Sequence, residues 1–109
     1  MVSTRWVPDA GEIIWIGFDP QAGHEQAGHR PALVLSPAGY NGPTGLLLCV
    51  PMTTKAKGYR FEVAIGTSGV ALADQVKSFD WRARGARRKG RASTAELDAV
   101  RERARALIG

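Results

Sequence analysis

The chain has one cysteine, Cys49, among its 109 residues, so no intrachain disulfide can form and the fold must rest on its apolar core. A lone thiol suits a reducing compartment. Cys49 and the two histidines, His24 and His29, fall short of the four ligands of a structural zinc site, which excludes a zinc finger. Long apolar runs are missing too. The longest uncharged apolar stretch, Leu46 to Met52, is far below membrane-spanning length, and Met1 to Ala10 carries Arg5, Pro8 and Asp9 with no apolar segment. A cytoplasmic chain with no membrane association is expected. There is no Walker-type phosphate loop, no serine in a nucleophile elbow, no internal repeat and no low-complexity segment. Neither metal nor cofactor is expected, and the length fits one domain over residues 1–109.

Acidic residues are scarce at one end. Fifteen Lys and Arg against ten Asp and Glu give a net charge of +5. Residues 1–80 hold six basic and seven acidic groups, whereas residues 81–109 hold nine and three. Arg82, Arg84, Arg87, Arg88, Lys89 and Arg91 follow one another without an acid between them. Such a patch attracts polyanions, of which nucleic acid is the commonest in a cytosol. The same composition also fits a solvated basic tail.

The first two thirds divide into short strands separated by Gly, Pro and Asn. Glu12 to Phe18 is rich in β-branched and aromatic residues, and Ala32 to Ser36 and Leu46 to Met52 follow it. Between the latter two, Pro37, Gly39, Asn41, Gly42, Pro43 and Gly45 predict a hairpin-like turn. Arg60 to Ile65 alternates as a half-buried strand, and Gly66 to Gly69 forms a tight connection. Val70 to Ala73 and Gln75 to Phe79 flank Asp74, which then lies at a bend or a site rim. Five or six such strands predict a small barrel. Near the C-terminus Ser93 and Glu96 have capping-box spacing, and Leu97, Val100, Ala104, Leu107 and Ile108 form the stripe of an amphipathic helix, with Arg101, Arg103 and Arg105 on its other face. The expected architecture is mainly β with α: a small antiparallel barrel carrying a terminal helix.

Polar residues gather in three places: the loop Gly23 to Pro31, the run Thr53 to Tyr59, and the group Asp74, Gln75 and Lys77. Together they have the chemistry to cleave RNA without a metal. That reaction deprotonates a ribose 2′-hydroxyl, protonates the leaving oxygen and stabilises added charge on phosphorus. Arg30 suits the last task because its guanidinium forks two hydrogen bonds onto phosphate, and a hydroxyl such as that of Thr53 can add another. Glu25, His24 and His29 are candidate acid or base groups. A loop ion pair between Glu25 and Arg30 is the plain structural alternative. Trp6, Trp15, Trp81 and Phe18 either stack bases or pack in the core.

Four segments, GEIIWIGFDP at Gly11 to Pro20, EQAGHRPALVLSP at Glu25 to Pro37, CVPMTTKAKGYRF at Cys49 to Phe61 and GVALADQVKSFDWRARG at Gly69 to Gly85, resemble the MazF/PemK family of toxin endoribonucleases, in order and almost end to end. The resemblance implies a homodimer of SH3-like barrels that cuts single-stranded RNA at a short motif, ACA-like in close relatives, and leaves a 2′,3′-cyclic phosphate and a 5′-hydroxyl. It implies catalytic roles for Arg30 and Thr53, with Glu25 a weaker candidate. It implies RNA contacts from Phe18, Asp19, Thr54, Lys57, Asp74, Gln75 and Lys77, and a small MazE-like antitoxin as partner. Two departures bear on cleavage preference: Gly17 stands where many relatives carry an acid, and the Ile65 to Gly69 connection is short. Two other functions remain open at this point, a barrel that binds nucleic acid without cutting it and a DNA-directed topoisomerase inhibitor.

Overall fold

The computed structural model describes residues 6–18 and 29–109. Seven strands and two helices follow in the order β1 (Glu12–Gly17), β2 (His29–Val34), α1 (Ala38–Thr44), β3 (Leu46–Thr53), β4 (Glu62–Ile65), β5 (Gly69–Leu72), β6 (Lys77–Asp80), β7 (Arg87–Arg91) and α2 (Thr94–Ile108). The strands form one antiparallel sheet in the order β4-β5-β3-β2-β1-β7, with β6 also paired to β3.

β3 organises the sheet because it is long enough to serve two neighbours along one edge. Its first half, Leu46 to Cys49, pairs with β6, and its end, Met52 and Thr53, pairs with β5. The sheet thereby curls into a half-barrel. Both of its faces are covered over much of their area, which is why β1 reads as the unbroken apolar run Ile13 to Ile16. On one face Ile13, Leu33, Val50, Met52, Val63, Ile65 and Ala71 pack with Leu97 and Val100 of α2. On the other, Ile14, Ile16, Ala32, Val34, Leu47 and Cys49 pack with Phe79 and Trp81. Each large aliphatic side chain so buried stabilises the fold by about 1.5–3 kcal/mol.

The capping box of α2 forms as expected: Glu96 N donates to Ser93 Oγ and Ser93 N donates to Glu96 Oε1. The second Glu96 oxygen accepts the Gly66 amide at 2.7 Å, tying the helix start to the β4–β5 turn. The expected stripe stops short, because Leu97, Val100 and Ala104 are buried while Leu107 and Ile108 are 55% and 79% exposed. Arg101 and Arg103 donate to the carbonyl oxygens of Leu35 and Arg60.

One further expectation is corrected and one open alternative is resolved. Ala38–Thr44 form a short helix, capped by Pro37 and Gly45, rather than a hairpin-like turn. Asn41 is fully buried there, its amide nitrogen donating to the carbonyls of Pro8 and Ser36 and its side-chain oxygen accepting from Ser36 Oγ, so tertiary bonds fix a segment of poor local propensity. The basic run is also no tail, since Arg87 to Arg91 adds to β1 as an edge strand with a bulge opposite Ile13 and Ile14. Its anchor is Glu12, a buried carboxylate that accepts from Arg88 Nε at 2.8 Å, Trp6 Nε1 at 3.2 Å and the Asp9 amide at 2.9 Å.

Candidate functional site

Strand register builds the site. β2 and β3 pair Val34 with Cys49, Leu33 with Val50 and Ala32 with Pro51. Continued by two residues, the same register sets Arg30 opposite Thr53, on one face of the sheet. Thr53 is itself opposite Val70, and Leu72 opposite Glu62, so that face runs on across β5 and β4. Here it is open rather than packed. A cleft of about 670 Å³ is lined by Arg30, Thr53, Lys55, Lys57, Tyr59, Glu62, Leu72, Asp74 and Gln75.

Local hydrogen bonds fix these side chains. Thr53 Oγ1 accepts the Lys55 amide at 3.1 Å, which turns the hydroxyl and leaves its hydrogen free to donate. The Glu62 carboxylate accepts the amides of Lys57 at 2.9 Å and Gly58 at 3.0 Å, and so braces the loop that carries both lysines. With its oxygens committed to backbone, Glu62 is a loop brace rather than an acid or base. Tyr59 Oη donates to Asp74 Oδ2, closing one wall of the cleft between the loop after β3 and the turn before β6. That bond raises the Tyr59 pKa, because it is lost when the phenol ionises next to a carboxylate. Asp74 Oδ1 is buried and has no hydrogen-bond partner among the described residues. At the end of the cleft, Gly69 starts β5 with φ 127, and a Cβ there would lie 2.5 Å from the Thr53 carbonyl oxygen.

Of the residues expected at a site, Arg30, Thr53, Lys57, Asp74 and Gln75 come together in this cleft. Phe18 adjoins it, its ring centroid 5.8 Å from the Arg30 guanidinium carbon and 5.1 Å from that of Phe79. Arg84 NH1 steadies this corner by donating to the Gly17 and Phe18 carbonyls. Thr54 is exposed beside Thr53, and Lys77 is exposed on β6 opposite Cys49; neither lines the cleft. Asp19, His24 and Glu25 lie outside the described residues. His29 is exposed at the start of β2, opposite Gly17. Trp6 and Trp81 meet edge to face at 6.1 Å, with Trp81 buried, so these two serve packing.

Sequence reasoning placed Lys55 and Tyr59 in a polar run but gave them no role, and it passed over Glu62 and Leu72. Only strand pairing brings the last two to the cleft. Cys49 is buried beneath the sheet, and burial pushes its thiol up from 9.0 to about 12 although Lys77 and Arg84 pull the other way. Among the described residues no group of three His, Cys, Asp or Glu side chains is placed to hold a metal ion, and no helix is long and apolar enough to cross a membrane.

Comparison with known proteins matches residues 9–108 to the family described as PemK-like, MazF-like toxin of type II toxin-antitoxin system. The endoribonuclease toxin MazF of Escherichia coli (strain K12) is 58% identical over 112 residues, covering 100% of both chains. The crystal structure of MazF (Form-I) from Deinococcus radiodurans matches with a TM-score of 0.86 at 53% identity, over 96% of this chain and 99% of that one. MazE-MazF (Form-II) from the same organism matches with a TM-score of 0.89 at 53% identity, over 96% and 98%. The likeness extends to the whole half-barrel and its terminal helix, in line with the SH3-like architecture expected.

Proposed function

The chain belongs to the PemK-like, MazF-like toxins of type II toxin-antitoxin systems, and from that membership we propose how its cleft works as that of an endoribonuclease cutting single-stranded RNA at a short motif. The observation that carries the reading is that Arg30 and Thr53, from the neighbouring strands β2 and β3, line one cleft that also holds Lys55 and Lys57. The three cations draw in the phosphate backbone. Arg30 forks onto the non-bridging oxygens of the scissile phosphate, and the free hydrogen of the Thr53 hydroxyl adds a second kind of donor. The ribose 2′-oxygen then forms a bond to phosphorus as the bond to the 5′-oxygen breaks. The 2′-hydroxyl proton leaves to a base, for which Glu25 is the candidate, and a general acid, for which His24 and His29 are the candidates, gives its proton to the 5′-oxygen. The products are a 2′,3′-cyclic phosphate and a 5′-hydroxyl, with no metal taking part.

Solved complexes of MazE with MazF support a MazE-like antitoxin as partner. Exposed Leu46 and Leu48, on the half of β3 that pairs with β6, support a homodimer through that face.

The test is incubation with a long single-stranded RNA and with a 2′-deoxy copy, EDTA present throughout, followed by mapping of the ends. Cutting of the ribose strand alone, at one motif and with cyclic phosphate ends, is the expected result. Bound but intact RNA overturns the reading. Arg30→Ala is expected to lower kcat by about 10²–10³-fold, the scale of losing a preorganised donor to developing charge. Full activity in a folded Arg30→Ala protein removes Arg30 from the reaction.

A further inference from the structure

We infer that Tyr59 is the base-stacking side chain of the cleft and that Asp74 is a positioning residue that holds it, rather than a group that touches nucleic acid. The inference rests on the reading of the cleft as an RNA site and changes the part assigned to one of its residues. A carboxylate reads a base by offering an oxygen to a base N–H. Asp74 is largely committed: Oδ2 takes the Tyr59 hydroxyl, which leaves that oxygen one lone pair, and Oδ1 is shut away from the surface.

Tyr59 is the one aromatic among the described residues that line the cleft, and 46% of its surface is exposed. Its ring leans on Phe61, with centroids 5.7 Å apart and planes at 60°. Both ends of the residue are held, the hydroxyl by Asp74 and the amide by Glu62 Oε1 at 3.4 Å. A ring fixed in this way loses little conformational freedom when a base settles on it. Lys55 and Lys57 stand on the same loop, so cations that track phosphate alternate with a ring that takes a base, the pattern of single-strand binding.

The test measures binding of a fluorescent single-stranded oligonucleotide of mixed sequence, 2′-deoxy throughout so that it is not cut, by wild type, Tyr59→Leu, Tyr59→Phe, Asp74→Ala and the Tyr59→Leu/Asp74→Ala double variant. Circular dichroism confirms that each is folded. Tyr59→Leu is expected to lose about 5- to 100-fold in affinity, the range for one stacked base. The slope of log K against log salt stays unchanged, since no charge is removed. Tyr59→Phe keeps the ring but lacks the bond to Asp74, so it loses only the part that Asp74→Ala loses. Asp74→Ala loses part of it and costs nothing more once Tyr59 is Leu, because the two act as a unit.

Wild-type affinity in Tyr59→Leu overturns the stacking role. An equal loss from Asp74→Ala in both backgrounds, or a changed cleavage motif in Asp74→Ala on RNA, overturns the positioning role and makes Asp74 a base contact. Binding that depends on Tyr59 in a protein that cuts nothing leaves this inference standing while the nuclease reading falls.

Discussion

At Gly69 the β5 strand comes so close to β3 that the Thr53 carbonyl occupies the space a side chain needs. A methyl group there must push the end of β3 away, and with it the Thr53 hydroxyl, while the φ of 127 adds strain of its own. Gly69→Ala is therefore expected to lower the single-turnover cleavage rate by about 10- to 100-fold, the cost of a displacement near 1 Å at a reacting group. Binding of the uncleavable oligonucleotide should change far less. An unchanged rate in the folded variant shows that β3 yields without moving Thr53. Cys49 gives a second prediction. Its folded value near 12 exceeds the ordinary 9.0, so between those limits the unfolded chain releases a proton that the folded chain keeps, and stability falls as pH rises. Comparing denaturation midpoints of wild type and Cys49→Ala at pH 8 and pH 10.5 isolates this effect, and the gap should narrow if the buried thiol is responsible. Arg30 and Thr53 were legible in the sequence because their side-chain chemistry announces a phosphate site. Tyr59 was not, because its part depends on a carboxylate fifteen positions away.

The elements differ in how plainly local pattern declared them. β1 and β3 showed strand-length apolar runs, and α2 showed both its cap and its stripe. β7 has no apolar residue to alternate, and α1 holds two glycines and a proline in seven residues; pairing with β1 creates the first and the buried Asn41 hub creates the second. The cap of α2 is open to direct measurement. Ser93→Ala removes the acceptor for the Glu96 amide and should cost about 1 kcal/mol in urea unfolding. A loss near zero would mean that water replaces the hydroxyl. The Glu96 carboxyl is held below its ordinary 4.5 by the amides of Ser93 and Gly66. A lowered folded value stabilises the protein above the unfolded one and is lost as pH falls through the folded one, so Glu96→Gln should flatten the acid limb of the stability profile.

At the scale of the whole molecule, the exposed leucines of β3 and the basic edge strand β7 stand apart in the sheet, with β2 and β1 between them. Leu46 and Leu48 remain 38% and 39% exposed on β3, on the face proposed to meet a second copy. Light scattering at micromolar concentration should give twice the chain mass for wild type and the single chain mass for Leu48→Glu. A wild-type monomer would remove the proposed dimer. Composition alone located the charge but left its form open, since a run of arginines looks the same as a tail or as a strand until Glu12 is seen to anchor it. The sheet order ends at β7, so the outer edge of that strand is a row of backbone donors and acceptors with no strand beside it among the described residues. Such an edge is a template on which further strands can add, and Arg87, Arg88, Lys89 and Arg91 place like charges on any two copies that approach through it. That repulsion fades as the screening length shrinks from about 8 Å in physiological salt to about 3 Å at 1 M. The basic edge thus sets a colloidal limit: pairing of copies through β7 is opposed in dilute salt, and the opposition weakens where its arginines are screened or replaced by valine.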